Sequence, residues 1–212
     1  MDYQIIIAFI LAYLIGAIPF SVWVGILFYQ KDVRKYGSMN AGATNTFRVL
    51  GAQAGIVVLF LDIVKGSVAV SLAYYLGHLS FSSANFIYYE LGLGMIAVLG
   101  HIFPIYLNFK GGKGVATFLG VGVSVFPVAA LTCVATFLVV FLITRYVSLG
   151  SILASIVFPL MLIFYEHMDQ WPVLAFAMAV PCIIIYTHRK NIKRLMKGEE
   201  NKILFSKSKE SS

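Results

Sequence analysis

Long apolar runs alternate along this chain with short polar interruptions. Ile5 to Phe28 holds 24 residues without a formal charge, and a bilayer-crossing helix needs about 20. Further charge-free runs cover Gly66–Tyr89, Leu91–Phe109, Gly114–Thr144, Tyr146–Tyr165 and Gln170–Thr187. The pattern predicts an all-α polytopic integral membrane protein, with crossings at Ile5–Phe28, Ala52–Gly77, Glu90–Asn108, Val147–Tyr165 and Trp171–Thr187. Gly114–Thr144 must supply two more, because the polar segments at its two ends are both basic. Its 31 residues leave about 15 per crossing, or ~22 Å of helix, short of the ~30 Å hydrocarbon core. Two short helices broken near Phe126-Pro127, or a re-entrant pair, are expected there. The count is then seven helical segments, with five full spans as the alternative.

Composition agrees with the pattern. Apolar residues make up 60% of the 212 and charged residues 12%, where a soluble domain carries roughly 25%. Mean hydropathy is +0.88. No room remains for a separate soluble domain, so residues 1–212 read as one membrane-embedded unit, with a disordered tail over 202–212. The first run is too long for a signal-peptide core and lacks a basic leader, so it reads as a retained helix. Cys133 and Cys182 both fall in apolar runs and read as small hydrophobes.

The net charge of +7 is concentrated in four patches: Lys31–Arg48, Lys110–Lys113, Arg145 and Arg189–Lys209. The segments at Phe81–Asn85 and Glu166–Asp169 have no Lys or Arg. The positive-inside rule therefore places all four patches in the cytoplasm and the N-terminus outside. Their juxtamembrane position favours topology and anionic lipid over nucleic acid as the reason for the charge.

Four of the interruptions are rich in hydrogen-bond donors. Gly37–Arg48 is dense in Gly, Ser, Asn and Thr and reads as an interfacial loop entering a helix near Thr44. Lys110-Gly-Gly-Lys-Gly114 joins two apolar runs, and its glycine amides and lysine suit an anion. His188-Arg-Lys-Asn191 is followed by Gly198-Glu-Glu200, and Ser148-Leu-Gly-Ser151 is a smaller fourth segment. All lie on one side by topology, so helices can gather them into a single rim suited to a phosphorylated polar substrate and a membrane-embedded partner. Asp62 and Lys65, at i and i+3 inside an apolar run, fit a structural ion pair as well as a substrate role. His101 fits a helix–helix hydrogen bond better than a role in polarising substrate.

Several chemistries lack their motifs. There is no G-x-x-x-x-G-K-[ST] phosphate loop and no H-E-x-x-H zinc site. There is no G-x-S-x-G nucleophile elbow, no histidine followed five positions later by aspartate, and no cluster with metal-ligand spacing. No metal or other cofactor is expected.

Five segments together resemble the bacterial acyl-phosphate:glycerol-3-phosphate acyltransferase family (PlsY). They are GSMNAGATNTFR at Gly37–Arg48, LDIVKG at Leu61–Gly66, the stretch from Gly100 to Thr117 around Lys110–Gly114, SLGS at Ser148–Ser151, and His188 to Glu200. The resemblance implies transfer of a fatty acyl group from acyl phosphate to the 1-hydroxyl of glycerol 3-phosphate, giving 1-acylglycerol 3-phosphate (lysophosphatidate) and phosphate. It implies a seven-helix enzyme of the bacterial cytoplasmic (inner) membrane, with its site on the cytoplasmic side and a functional link to an enzyme that makes acyl phosphate. By the same resemblance Ser38, Arg48, Lys113, His188 and Asn191 are catalytic or essential. Asn40, Thr44, Asn45, Gly111, Gly112, Gly114, Ser151 and Glu200 contact substrate, the glycines through their amides and Glu200 as the glutamate of the last motif.

Acyl phosphate is an activated anhydride, so orientation, charge compensation and deprotonation of a hydroxyl suffice without a covalent enzyme intermediate. His188 or the donor's own phosphate can take the proton. A transporter of a phosphorylated solute is the alternative, although transporter sites lie near the midplane. A CDP-alcohol phosphotransferase would need several membrane aspartates around a divalent metal, and only Asp62 is present.

Overall fold

The computed structural model describes residues 3–77 and 83–203, and every regular element among them is helical. The chain runs α1 (Tyr3–Ala17), α2 (Phe20–Tyr29), α3 (Ala43–Leu50), α4 (Ala52–Tyr75), α5 (Ser83–Ile102), α6 (Val115–Val125), α7 (Pro127–Thr144), α8 (Val147–Phe164), α9 (Trp171–Thr187) and α10 (Arg189–Met196). Four helices among the described residues are long and apolar enough to cross a membrane: α4, α5 with its extension to Leu107, α7 and α8. The count reaches six if the bent pairs α1–α2 and α9–α10 each form one span. The sequence reading of seven segments adds α6, which at 11 residues is about 16 Å long and too short to cross alone.

Prolines decide where the chain breaks. Ile5–Phe28, expected as one helix, bends by 45° between α1 and α2, because Pro19 has no N–H to continue the ladder. At the break the Ile18 carbonyl accepts from the Phe20 amide at 3.2 Å and from Lys65 Nζ at 3.1 Å. A cation at a helix C-terminus also meets the favourable end of the dipole. The expected break at Phe126-Pro127 is present, with proline at the first position of α7 and the Phe126 amide donating back to Gly122 at 2.7 Å. At the far end of α7, Arg145 adopts φ 64° to turn the chain into α8. Glu166, after α8, accepts from the Ala129 amide at 3.3 Å and so occupies one of the open donors at the start of α7.

Small residues bring the helices together, as expected where lipid supplies no hydrophobic drive for association. A methyl group on Gly120 of α6 would overlap the Ile63 carbonyl of α4. Ser67 seals the same contact by donating to the Gly120 carbonyl at 2.9 Å. Ala8 and Ala12 of α1 are fully buried with Ala97 and Leu93 of α5. The largest core lies among α4, α5, α6, α8 and α9, with Ala129 from the start of α7. Within it Phe126, Phe158, Phe176 and Phe118 form a chain of edge-on rings with centroids 6.1–6.4 Å apart. Helix α7 is different. Leu131, Leu142 and Ile143 stand 58–77% exposed, as lipid-facing side chains do, and α7 leaves a wide gap toward α4 and α6.

Candidate active site

The gap is a cavity of about 500 Å³, within the size range of ligand sites. Its walls are apolar: Leu59 of α4, Phe118 and Leu119 of α6, Phe137 of α7, Phe158 of α8 and Ile184 of α9. Its head is polar. Ser38, Asn40, Thr44, Asn45, Arg48, Lys113, Gly114, Ser148, Ser151, His188, Asn191 and Glu200 all line this one space. Segments separated by up to 160 positions thus meet as the sequence predicted.

The first polar segment is a loop wrapped around one side chain. Asn45, 1% exposed, donates from Nδ2 to the carbonyls of Val33 (2.7 Å) and Tyr36 (3.2 Å) and accepts the Ser38 amide at 2.8 Å. Its hydrogen-bonding capacity is used inside the protein, so the expected substrate contact becomes a structural one that presents Ser38. The loop needs this anchor because Gly37 and Met39 both adopt left-handed φ, 60° and 58°. Helix α3 follows, starting one residue before Thr44. Arg48 on its last turn donates to the Asn201 carbonyl at 3.2 Å. Burial lowers the guanidinium's pKa, with Glu200 opposing that effect and Arg194 adding to it, and the group stays cationic at any working pH.

The glycine turn is built differently from the sequence expectation. The Gly111 and Gly112 amides donate to the carbonyls of Ile102 and His101, both at 3.1 Å. They cap the end of α5 and are not available to a phosphate. What glycine supplies is close approach. A methyl on Gly111 would overlap the His101 carbonyl, and one on Gly112 would overlap His101 Nε2 and come within 2.9 Å of the Ala41 carbonyl. Gly114 adopts φ 85° and opens α6 without a side-chain cap. With Val115 and Ala116 it lines the cavity, which places the N-terminal, positive end of the α6 dipole at the cavity wall.

Lys113 stands beside that helix end. Its Nζ donates to Asn191 Oδ1 at 2.6 Å, and its carbonyl accepts from Thr187 Oγ1 at 3.2 Å. Burial is the main force lowering the ammonium's pKa to about 8, with Arg194 and Arg48 adding to it and Glu200 opposing. Asn191 relays the contact by donating from Nδ2 to Glu200 Oε1 at 2.6 Å. Glu200 also accepts from Ser148 (2.9 Å) and Arg194 (2.7 Å). Burial would raise its pKa, but these three donors outweigh burial and lower it. Glu200 is therefore the hub that orients Asn191, whereas its neighbour Glu199 is exposed. Ser151 spends its hydroxyl proton on the Val147 carbonyl at 2.9 Å.

His188 sits where α9 bends by 63° into α10. Its Nδ1 lies 2.8 Å from the Ile184 carbonyl, so Nδ1 carries the proton and Nε2 is left with a lone pair. Burial pushes its pKa down to about 4, helped by the Lys113 charge and opposed by the Ile184 carbonyl and Glu200. The ring is neutral at pH 7. Among the described residues no three His, Cys, Asp or Glu side chains converge as metal ligands.

Sequence reasoning gave Arg194 no role, yet it completes the Glu200 network. Its spacing of three from Asn191 was the available signal. Asp62 and His101 also reach the cavity head. Asp62 pairs with Lys65 at 2.7 Å with both side chains buried, and His101 Nδ1 lies 3.7 Å from Asp62 Oδ1.

Known proteins match this arrangement over nearly its whole length. The family profile described as "Glycerol-3-phosphate acyltransferase" matches residues 6–198. Proteins of that name from Fusobacterium nucleatum and Staphylococcus haemolyticus are 44% and 45% identical over 197 and 201 residues. The alignments cover 92% and 94% of this chain and 96% and 98% of theirs. The crystal structure of PlsY, an integral membrane glycerol 3-phosphate acyltransferase, superposes in its glycerol 3-phosphate form with a TM-score of 0.83 at 39% identity, covering 94% of this chain and 96% of that one. Its lysophosphatidic acid form gives 0.79 at 38%.

Proposed function

The chain belongs to the glycerol-3-phosphate acyltransferase family, and from that premise we propose that it moves a fatty acyl group from acyl phosphate to the 1-hydroxyl of glycerol 3-phosphate. The products are 1-acylglycerol 3-phosphate and inorganic phosphate. The observation that carries this reading is the joining of a cationic, amide-rich head to an apolar cavity of about 500 Å³. A lipid-borne anhydride has that shape, with a charged end and a long hydrocarbon.

Glycerol 3-phosphate and the donor each bring a phosphate, and the two repel. Arg48, Lys113, Gly114 and the first-turn amides of α6 offset that repulsion. The hydroxyl oxygen attacks the acyl carbonyl carbon, the carbon–oxygen bond to phosphate breaks, and phosphate leaves with the electron pair. His188 Nε2, unprotonated, accepts the hydrogen bond of the attacking hydroxyl and aims it. With a pKa of about 4, His188 is a weaker base than a phosphate, whose second pKa is ~6. The proton therefore ends on the departing phosphate. Ser38, presented by Asn45, and Asn191, held by Glu200, complete the polar head, and Asn40 and Thr44 line its edge.

The charge pattern supports a bacterial cytoplasmic membrane protein with its N-terminus outside and its polar head at the inner leaflet, where glycerol 3-phosphate and an acyl-phosphate-producing enzyme would be found. The site takes no metal or other cofactor in this reading.

Purified protein supplied with palmitoyl phosphate and radiolabelled glycerol 3-phosphate is expected to form labelled 1-acylglycerol 3-phosphate and phosphate in equal amounts, with palmitoyl-CoA inert. Turnover with palmitoyl-CoA alone, or an acyl-enzyme trapped from palmitoyl phosphate before the acceptor is added, would overturn the donor or the single displacement.

A further inference from the structure

The Asp62–Lys65–His101 cluster takes no part in the chemistry above, yet it lies directly behind the glycine turn. Asp62, Lys65 and His101 are 2%, 3% and 7% exposed. Lys65 is fully engaged, by Asp62 at 2.7 Å, by the Ile18 carbonyl at 3.1 Å and by the face of Phe20. Its work is to hold the α1–α2 break. His101 is engaged differently. Its Nδ1 edge faces the Asp62 carboxylate at 3.7 Å, and its Nε2 edge fills the place where a side chain on Gly112 would stand. The Ala41 carbonyl borders the same place, 2.9 Å from where a methyl on Gly112 would stand. The imidazole is thus wedged between a carboxylate on α4 and the turn that carries Lys113. Behind that turn, Asp62, His101, Gly111 and Gly112 border a small space of about 10 Å³, room for one water at most. The Gly111 and Gly112 amides tie the turn to the end of α5 and Lys113 ties it to Asn191, but on the α4 side only the His101 ring fills the space beneath Gly112.

The geometry points to Asp62 and His101 as a positioning pair. His101 sets the height of the glycine turn, and Asp62 fixes the tilt of the His101 ring, so that Lys113 and the Gly114 end of α6 meet the phosphate of glycerol 3-phosphate. Neither residue is catalytic. The inference rests on the proposal that this turn holds the acceptor's phosphate.

The test is steady-state kinetics of purified variants with both substrates varied. His101→Ala removes the wedge, and its KM for glycerol 3-phosphate is expected to rise roughly tenfold, with kcat and the KM for palmitoyl phosphate changed less than about threefold. His101→Asn keeps a planar polar head and is expected to recover most of the loss. Asp62→Asn, which preserves volume, is expected to raise the same KM about threefold and serves as the readout if His101→Ala does not accumulate. A folded His101→Ala enzyme with unchanged KM for glycerol 3-phosphate, or with a fall in kcat alone, overturns the pair. An Asp62→Asn enzyme with unchanged KM overturns its tilt role. Lys113→Ala separates this failure from that of the underlying reading. If Lys113→Ala also leaves glycerol 3-phosphate binding intact, the turn does not hold the phosphate at all; if only Lys113→Ala weakens it, the positioning pair alone is wrong.

Discussion

Two buried charged clusters lie within a few turns of each other and do opposite work. Around Asp62, one carboxylate meets one ammonium, and the lysine's remaining capacity goes to the Ile18 carbonyl. Carboxylate and ammonium charge are balanced and buried, and the cluster holds helices together. Around Glu200, Arg48, Lys113 and Arg194 face one carboxylate. Charge is in excess, the cluster opens onto a large cavity, and burial lowers the pKa of Lys113 to about 8 because no anion fully compensates it. A balanced buried cluster is a structural device. An unbalanced one beside open volume is built for a ligand of the missing sign.

The comparison can be broken most sharply at the unbalanced cluster. Arg48→Ala and Lys113→Ala should each lower kcat/KM by roughly 10²–10³-fold while the protein still accumulates and melts normally, as expected for removal of a preorganised charge. Turnover near that of the unmodified enzyme would show that the excess charge serves topology only. At the balanced cluster the expected pattern is reversed. Lys65→Met leaves the buried Asp62 without its ammonium partner, a change that typically costs about 3–5 kcal/mol, so detergent melting should fall well before catalysis is examined. The Asp62→Asn, Lys65→Met double variant should regain much of that stability, and failure to do so would mean the pair is more than a counterion arrangement.

Smaller effects sharpen the picture further. In the proposed reaction Lys113 holds phosphate as an ammonium, so kcat/KM should fall as pH rises through about 8, since the free enzyme's ionisations shape that profile. In Lys113→Arg the residual activity should lose this alkaline limb, because guanidinium stays protonated. A limb that persists would assign it to another group. Ser151→Ala should change kcat/KM less than about threefold, since the hydroxyl is spent on its own helix at 2.9 Å from the Val147 carbonyl and such bonds contribute ~1 kcal/mol or less. A large loss would restore Ser151 as a substrate contact.

How much of this was legible in the sequence depends on whether a feature is set locally. Helix α9 and the break at Phe126-Pro127 follow from run length and proline, and the structure has them where expected. The bend at Pro19 was missed because the run around it stays apolar, and its stabilising partner, Lys65, lies 47 positions away. The gathering of four polar segments into one rim was readable from charge sidedness, and the residues named for the site line one cavity, except Gly111 and Gly112. Their partners were not readable. Asn45 and Glu200 differ from Asn40 and Glu199 only through which atoms surround them after folding. The glycine turn looks like an amide cradle in one dimension. Its amides turn back to His101 and Ile102 because α5 ends there and needs donors for its last carbonyls. Arg194 was in view, but its carboxylate partner became apparent only when α10 brought it to Glu200.

The central claim is that surplus positive charge at the head of the cavity grips the acceptor's phosphate. Calorimetric titration of glycerol 3-phosphate into the purified protein at pH 7, without donor, tests it most directly. Binding is expected to weaken by roughly 30-fold or more in Lys113→Ala or Arg48→Ala, about 2 kcal/mol, with Lys65→Met unchanged in affinity if it remains folded. Equal affinity in all three folded variants would contradict the account.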